Sequence, residues 1–324
     1  MHVDNSAPRV SVIMPSYNTA RFIGGSLDSV FRQTFQHLEV IVVNDGSPDT
    51  AELESVLAPY LKRIVYIKQE NKRAAGARNT AIRRSRGEFL AFLDSDDVWF
   101  PHHLAAQMRL FEADPDLGLV YCNCFSSGDP AQMEKFMDRC PSDGTANFAS
   151  LAVERCQIPI STVVARKAAL VLAGLFDESM LRCDDYDMWL RAAFHGAKIA
   201  YTREVQARLN EGRPGSLGVA NVKMMEAYRQ ILEKVLRTLP LSRDDRELIE
   251  HRVSETQGIL LYELAKAQLH QGYLEEARKL FTEANSYLHM RKVALASWAL
   301  GVAPHVTRQL FAFASRMRSG RLVS

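Results

Sequence analysis
From residue 9 the chain alternates short β-branched runs with amphipathic stretches, and this alternation restricts its fold more than any other feature. The runs are "RVSVIM" (9–14), "LEVIVV" (38–43), "RIVYIK" (63–68) and "EFLAFL" (88–93). Helical periodicity fills the gaps near 20–33, 49–60 and 74–85. Such spacing predicts an α/β fold, a mainly parallel sheet with helices on both faces. Ligands of such sheets sit outside the carboxyl ends of the strands. Here those ends carry polar and turn-forming residues: "PSYN" (15–18), "NDGSPD" (44–49) and "DSDD" (94–97).

Further along, the pattern predicts a helix near 101–113, a strand near 117–123 and an inserted polar loop at 126–146. Then come "IPISTVVAR" (158–166), a helix, the block "GLFDESMLRCDDYDMWLRAAFHG" (174–196) and the strand "KIAYT" (198–202). "NEGRPGSLG" (210–218) reads as a loop and domain boundary, which divides the chain into 1–218 and 219–324. Beyond residue 220 the period is helical only. Gly272, Ala277, Phe281 and Ala284 stand at the offsets of a tetratricopeptide-like hairpin near 258–286. A single unit makes no array, so an ordinary helical hairpin is the alternative.

The last 36 residues, 289–324, contain six Lys/Arg and no Asp or Glu around "VALASWALGVA" and "LFAFA". That composition fits peripheral contact with an anionic membrane surface, and it fits equally a helix docked on the preceding hairpin. The C-terminal helices are also a candidate surface for a protein partner or for self-association.

Composition excludes several classes. In 324 residues with a formal net charge of +2, no Lys/Arg run of the nucleic-acid-binding kind occurs in the first 240. The N-terminal sequence lacks the shape of a secretory signal and no apolar run is long enough to span a bilayer, so the expected location is the cytoplasm. Five scattered cysteines predict reduced thiols, and Cys122 and Cys124 lie on a strand, without metal-ligand spacing. The His102–His103 pair reads as the solvated start of a helix, not as a metal site.

Asp94 and Asp96, one residue apart after a strand, can face one crevice. Crowded carboxylates favour an added cation, and Mg²⁺ or Mn²⁺ suits hard oxygen donors with positions left open for phosphates and water. Capping of the helix near Pro101 is the competing explanation for these acids.

Five motifs in order resemble glycosyltransferase family 2, whose members have the GT-A fold. They are "VSVIMPSYN" (10–18), "VIVVNDGSPD" (40–49), "ENKRAAGARNTAI" (70–82), "FLAFLDSDD" (89–97) and the block 174–196. The resemblance covers roughly residues 9–217 and implies roles residue by residue. Pro15, Tyr17 and Asn18 would wall the base and ribose. Asp45 would accept from the nucleobase, commonly uracil, and Arg78 would reach base or phosphate. Asp94 would hold the ribose or a metal-bound water, and Asp96 the metal itself. Asp97 would cap the next helix or orient a metal water.

In "CDDYDMWLR" the family's base matches Asp185, and Asp184 replaces the usual Glu. Asp184 and Trp189 complete the expected nucleotide-sugar set. Helical spacing through this block puts Asp185 and Trp189 on one face with Leu181 or Arg182, and turns Asp184 and Asp187 elsewhere. Helix-dipole acids are the competing reading of the three aspartates. In "ARLNEGRPGSLG" the family's Arg-x-His is incomplete; Arg208, Arg213 and Ser216 remain as phosphate contacts.

The resemblance implies a metal-dependent, inverting glycosyltransferase with a nucleotide-sugar donor, UDP-type favoured, and a hydroxyl acceptor. The setting it implies is polysaccharide or glycolipid assembly, at the inner face of the membrane if the tail binds there. The alternative is a degenerate nucleotide-binding scaffold that acts through the C-terminal helices. A sugar nucleotidyltransferase would need a Gly-rich, Arg/Lys-bearing loop after the first strand, and "PSYNTARFIGG" does not supply it.

Overall fold
A computed structural model describes residues 7–126, 133–210 and 221–310. The chain divides into two compact units, Met1–Leu217 and Gly218–Ser324.

The first unit opens with β1 (Val10–Ser16), α1 (Ala20–Phe31), β2 (Leu38–Asp45), α2 (Thr50–Leu57), β3 (Val65–Gln69), α3 (Arg73–Arg84) and β4 (Phe89–Phe92). It continues through β5 (Val98–Trp99), α4 (His103–Ala113), β6 (Leu117–Ser126), β7 (Glu134–Lys135), α5 (Phe136–Arg139) and α6 (Phe148–Ala152). β8 (Val163–Arg166), α7 (Lys167–Leu172), α8 (Asp184–Phe194) and β9 (Lys198–Leu209) complete it. The sheet runs β3-β2-β1-β4-β8-β6-β9-β5, with β7 on β6. Parallel pairing joins β3, β2, β1 and β4, and again β6 and β9. β8, β5 and β7 pair antiparallel with their neighbours.

Apolar β-branched runs become strands here because both faces are covered. Val10, Val12, Ile13 and Met14 of β1 and Val40, Ile41, Val42 and Val43 of β2 are all buried. α1 buries Ile23, Leu27 and Val30, a spacing of four and three that forms one stripe against the sheet. α3 turns Ala75, Ala77 and Ala81 inward. The three parallel strands β1, β2 and β4 therefore end together, with "PSYN", "NDGS" and "DSDD" along one edge of the sheet.

Three expectations change. The stretch 126–146 is not simply an inserted loop: its described part carries β7 and α5, Met137 is buried, and Tyr121 donates to the buried Ser142 Oγ at 2.7 Å. The strand expected at 198–202 runs to Leu209, because its polar, alternating second half pairs with β6 and with Val98 and Trp99 of β5. His103 is no solvated helix start. It is fully buried, stacked on Trp99 at 4.3 Å, and burial drives its pKa down to about 3. Cys122 and Cys124 are free and buried.

The second unit is helical: α9 (Asn221–Thr238), α10 (Arg243–Gln271), α11 (Leu274–Leu288) and α12 (Arg291–Val302), with a further helical turn from Pro304. Ser242 caps α10 by accepting from the Asp245 N–H, and Gly272 ends it at φ +96°, a left-handed turn that glycine enters without strain. Ala277, Phe281 and Ala284 are wholly buried against Ala265 and Leu269, so the α10–α11 hairpin packs through the residues that the helical period singled out. A Cβ placed on Gly258 would come within 2.7 Å of Leu288 Cγ, so this glycine permits the close approach of the two helices.

Candidate active site
The strand ends form a cleft of about 680 Å³. Pro15, Tyr17 and Asn18 line it from β1, Asp45 from β2, Arg78 from α3, Asp94 and Asp96 from the β4 end, and Asp184 from the start of α8.

The β1 turn is held by its neighbours. Asn18 sits at φ +54°, and its N–H donates to Ser47 Oγ at 2.7 Å. Ser47 Oγ donates to Asp49, whose Oδ2 accepts from the Ala20 N–H at 2.8 Å and so satisfies the start of α1. Ser16, Thr19 and Ser95 share hydroxyl hydrogen bonds of 2.8 Å that tie the β1 end to the β4 end. Asp45 is anchored by Gln69 Nε2 at 2.7 Å and the Lys72 N–H at 2.8 Å, both on Oδ1. Its position is fixed before any ligand arrives. Gly46, at φ +64°, lets this turn run against residue 71: a Cβ there would lie 2.8 Å from the Asn71 nitrogen.

The centre of the site is Arg78. One guanidinium nitrogen donates to Asp94 Oδ1 at 2.8 Å and another to Asp184 Oδ2 at 2.6 Å, joining the β4 end to the start of α8. Phe176 lies under the guanidinium, 5.6 Å from it, and the buried Nε has no partner among the described residues. Burial opposes the charge of Arg78, but Asp184, Asp94 and Asp185 outweigh it and drive its pKa up. Arg78 is therefore a fixed cation between carboxylates, not a side chain free to reach for a base.

Asp185 is half-buried beside this cluster. Burial and the repulsion of Asp184 push its pKa up to about 6, against the pull of Arg78 and the Tyr186 N–H. It is poised to exchange a proton near neutrality. Asp97 takes a different path: it is buried, accepts from Ser161 Oγ at 2.5 Å and from the Asn210 N–H at 2.8 Å, and does not cap α4, whose N-cap is His102. Burial, with Asp96 and Asp94 adding repulsion, lifts its pKa well above the carboxylate range.

Two expectations about "CDDYDMWLR" are corrected. α8 starts only at Asp184, because Cys183 adopts a left-handed φ of +56°. Leu181 and Arg182 thus stand outside the helix, and Asp184 faces the cleft. Trp189 is no cleft residue: it is 1% exposed, donates to the Ile158 carbonyl at 3.2 Å and packs edge-on against Phe92 and Phe176. It supports the strand that delivers Asp94 and Asp96. Asp187 is wholly buried and paired with Arg191 at 2.6 Å. Arg208 lies within β9, paired with Val98, while Arg213 and Ser216 fall outside the described residues.

Sequence reasoning missed Arg21, Arg73 and Met180, which line the cleft together with Leu181, a residue that helical spacing had set beside Asp185. Neither arginine has an acidic partner among the described residues. Their signal was present, since Arg21 follows "PSYN" closely and Arg73 opens the helix that bears Arg78.

No group of three His, Cys, Asp or Glu among the described residues could cage a metal. Asp96 and Asp94 nevertheless offer hard carboxylate oxygens on one wall, with Asp94 Oδ1 already held by Arg78. This donor set fits a cation that keeps few protein ligands and takes the rest from phosphates and water, as Mg²⁺ and Mn²⁺ do.

The profile of the family described as "Glycosyl transferase family 2" matches residues 11–161, which contain the β1, β2 and β4 ends. An Escherichia coli protein, the UDP-Glc:alpha-D-GlcNAc-diphosphoundecaprenol beta-1,3-glucosyltransferase WfgD, is 35% identical over 182 residues, 56% of this chain and 68% of its own. The chain belongs to glycosyltransferase family 2. An uncharacterized glycosyltransferase of Rickettsia prowazekii is 26% identical over 90% of this chain and 85% of its own, while matches in other Rickettsia species span 60% and 31% of theirs. Among solved structures, Staphylococcus aureus TarS 1-349 in complex with UDP-GlcNAc superposes with a TM-score of 0.63 at 16% identity, over 95% of this chain and 92% of that one. The mannosyltransferase PcManGT of Pyrobaculum calidifontis, in complex with GDP-Man and Mn²⁺, gives 0.62 at 20% identity, over 97% and 87%. Both establish the GT-A fold for this family 2 member.

Proposed function
We propose that this glycosyltransferase is metal-dependent and inverting, and moves a sugar from a nucleoside-diphosphate donor, UDP-linked by preference, to a hydroxyl of a sugar, glycan or glycolipid. One observation carries the reading: Asp45, Asp94, Asp96 and Asp184 converge from three chain segments on one cleft whose lining also holds Arg21 and Arg73. Asp45 has an oxygen available to accept from a base N–H, and Tyr17, half exposed on the rim, offers a ring to the base. Arg21 and Arg73 supply cationic donors for a diphosphate. The cation would be held by Asp96, with Asp94 adjacent, and would neutralise charge on the departing diphosphate.

Asp185 acts as the base. It takes the proton of the acceptor hydroxyl as that oxygen bonds to the anomeric carbon, and the bond from that carbon to the diphosphate oxygen breaks with its electron pair on the nucleotide. A single displacement from the opposite side inverts the centre. A lipid-linked acceptor is favoured by the E. coli relative, whose name specifies a diphosphoundecaprenol acceptor.

Calorimetric titration with UDP, with and without Mn²⁺, tests the metal role on wild type and Asp96→Ala. Tighter binding with Mn²⁺ in wild type alone is expected; equal affinity in all four titrations rejects it. Asp185→Ala should bind UDP normally and lose transfer by about 10²–10⁴-fold, the usual contribution of a positioned base. A protein that binds UDP yet turns over none of a panel of nucleotide-sugars would instead be a nucleotide-binding scaffold.

A further inference from the structure
α12 is apolar on two opposite faces, and among the described residues only one is covered. Val293, Ala296 and Leu300 are buried in the core that includes Phe281 and Ala284. On the other face Leu295, Trp298 and Val302 are 61%, 64% and 65% exposed. Beyond the break at Ala303, Val306 and Leu310 stand four residues apart and are also more than half exposed. An exposed tryptophan within a continuous apolar row marks a surface that meets something less polar than water.

The chemistry around the row indicates what covers it. Beside Trp298 is a notch of about 370 Å³ between α11 and α12, lined by Arg278, Thr282, Asn285 and Ser297. Among the described residues Arg278 is its one charged lining residue; it is exposed, with Glu275 at 3.7 Å. Thr282 and Ser297 share a hydroxyl hydrogen bond of 2.6 Å. Residues 289–324 carry six Lys/Arg and no acid. Among them Arg291, Lys292 and Arg308 are exposed. A second copy docked face to face would set these cations against themselves, whereas a negatively charged lipid surface complements them.

We propose that α12 and the turn from Pro304 lie in the headgroup layer of an anionic phospholipid bilayer, with the Leu295–Trp298–Val302 row at the acyl boundary and the Arg278 notch on a lipid phosphate. The proposal concerns the second unit alone and stands whether or not the assignment of donor and metal does.

The full-length chain tests it through its own fluorescence. Of its three tryptophans, Trp99 and Trp189 are buried at 2% and 1% exposure, so Trp298 dominates any response to added lipid. Vesicles containing about a third phosphatidylglycerol should shift the emission to the blue, protect it from acrylamide and carry the protein in flotation; phosphatidylcholine alone, or about 0.5 M NaCl, should weaken binding at least tenfold. Trp298→Phe should remove the shift but not flotation, and Leu295→Ser with Val302→Ser should remove flotation. Arg278→Gln should lower partitioning about fivefold, the worth of one basic residue near such a surface. Circular dichroism and a melting temperature unchanged from wild type would show that these variants remain folded. Unchanged emission and no flotation with the anionic vesicles overturns the proposal. So does light scattering that finds a dimer with Trp298 already protected before lipid is added.

Discussion

Arg78, which lines the cleft, and Asp185, which follows the lining residue Asp184 without lining the cleft itself, are the two groups on which its chemistry turns. Removing a buried cation from two carboxylates leaves both uncompensated, and the usual cost of such a change is about 3–5 kcal/mol. Arg78→Ala should therefore lower the denaturant midpoint of the first unit severely, and Arg78→Lys should recover only part of it, because an ammonium cannot span Asp94 and Asp184 as a planar fork does. A Lys variant with wild-type stability would contradict this bridge. For Asp185, kcat/KM should rise with pH through about 6, since only the ionised carboxylate accepts a proton. A profile flat between pH 5 and 8 would assign the base elsewhere. Most cleft residues were legible because each sits in a short motif at a strand end. The Arg78–Asp184 bridge was not, because 106 residues separate its partners and neither motif names the other. Leu181 and Arg182 were misplaced for a different reason: helical spacing was extended back through Cys183, a left-handed residue beyond which α8 does not run; Trp189 was misplaced because helical spacing assigns a face without showing what covers it.

Among the elements, those buried on both faces were the easiest to read. β1, β2 and β4 are largely apolar runs, and the helical crossovers between them permit their parallel pairing. β9 was read too short, since "REVQARL" alternates and is half exposed, and its strand character comes from β5 and β6 beside it. β7 and α5 are two and four residues long, below what periodicity detects. In the second unit the hairpin depends on one contact that composition hides. Gly258 lets α10 approach Leu288 and Tyr287, whose side-chain atoms would stand 2.7 and 2.8 Å from an added Cβ. Gly258→Ala gains about 1 kcal/mol of helix propensity and loses about 1–3 kcal/mol to overpacking. The second unit should melt earlier, with UDP affinity in the first unit unchanged. A raised melting temperature would show that the helices part without cost.

Over the whole molecule the cleft should reduce folding stability, and pH shows by how much. Asp185 has its pKa raised from 3.8 to about 6, so the folded state holds its proton more tightly than the unfolded chain does. Its contribution is therefore favourable below pH 4 and is lost as pH rises through about 6. Partial exposure screens the effect, which leaves a penalty on the order of 2 kcal/mol at pH 7. Asp185→Asn removes that penalty along with the base. The variant should unfold at a higher urea concentration than wild type at pH 7.5, and the gap should close near pH 4 with no change in m-value. A gap independent of pH would mean that the gain arises from packing and not from the charge. The same substitution should then separate two properties that the sequence combines in one residue, a loss of transfer and a gain in stability. That opposition is expected where a carboxylate is held half-buried beside another for use as a base.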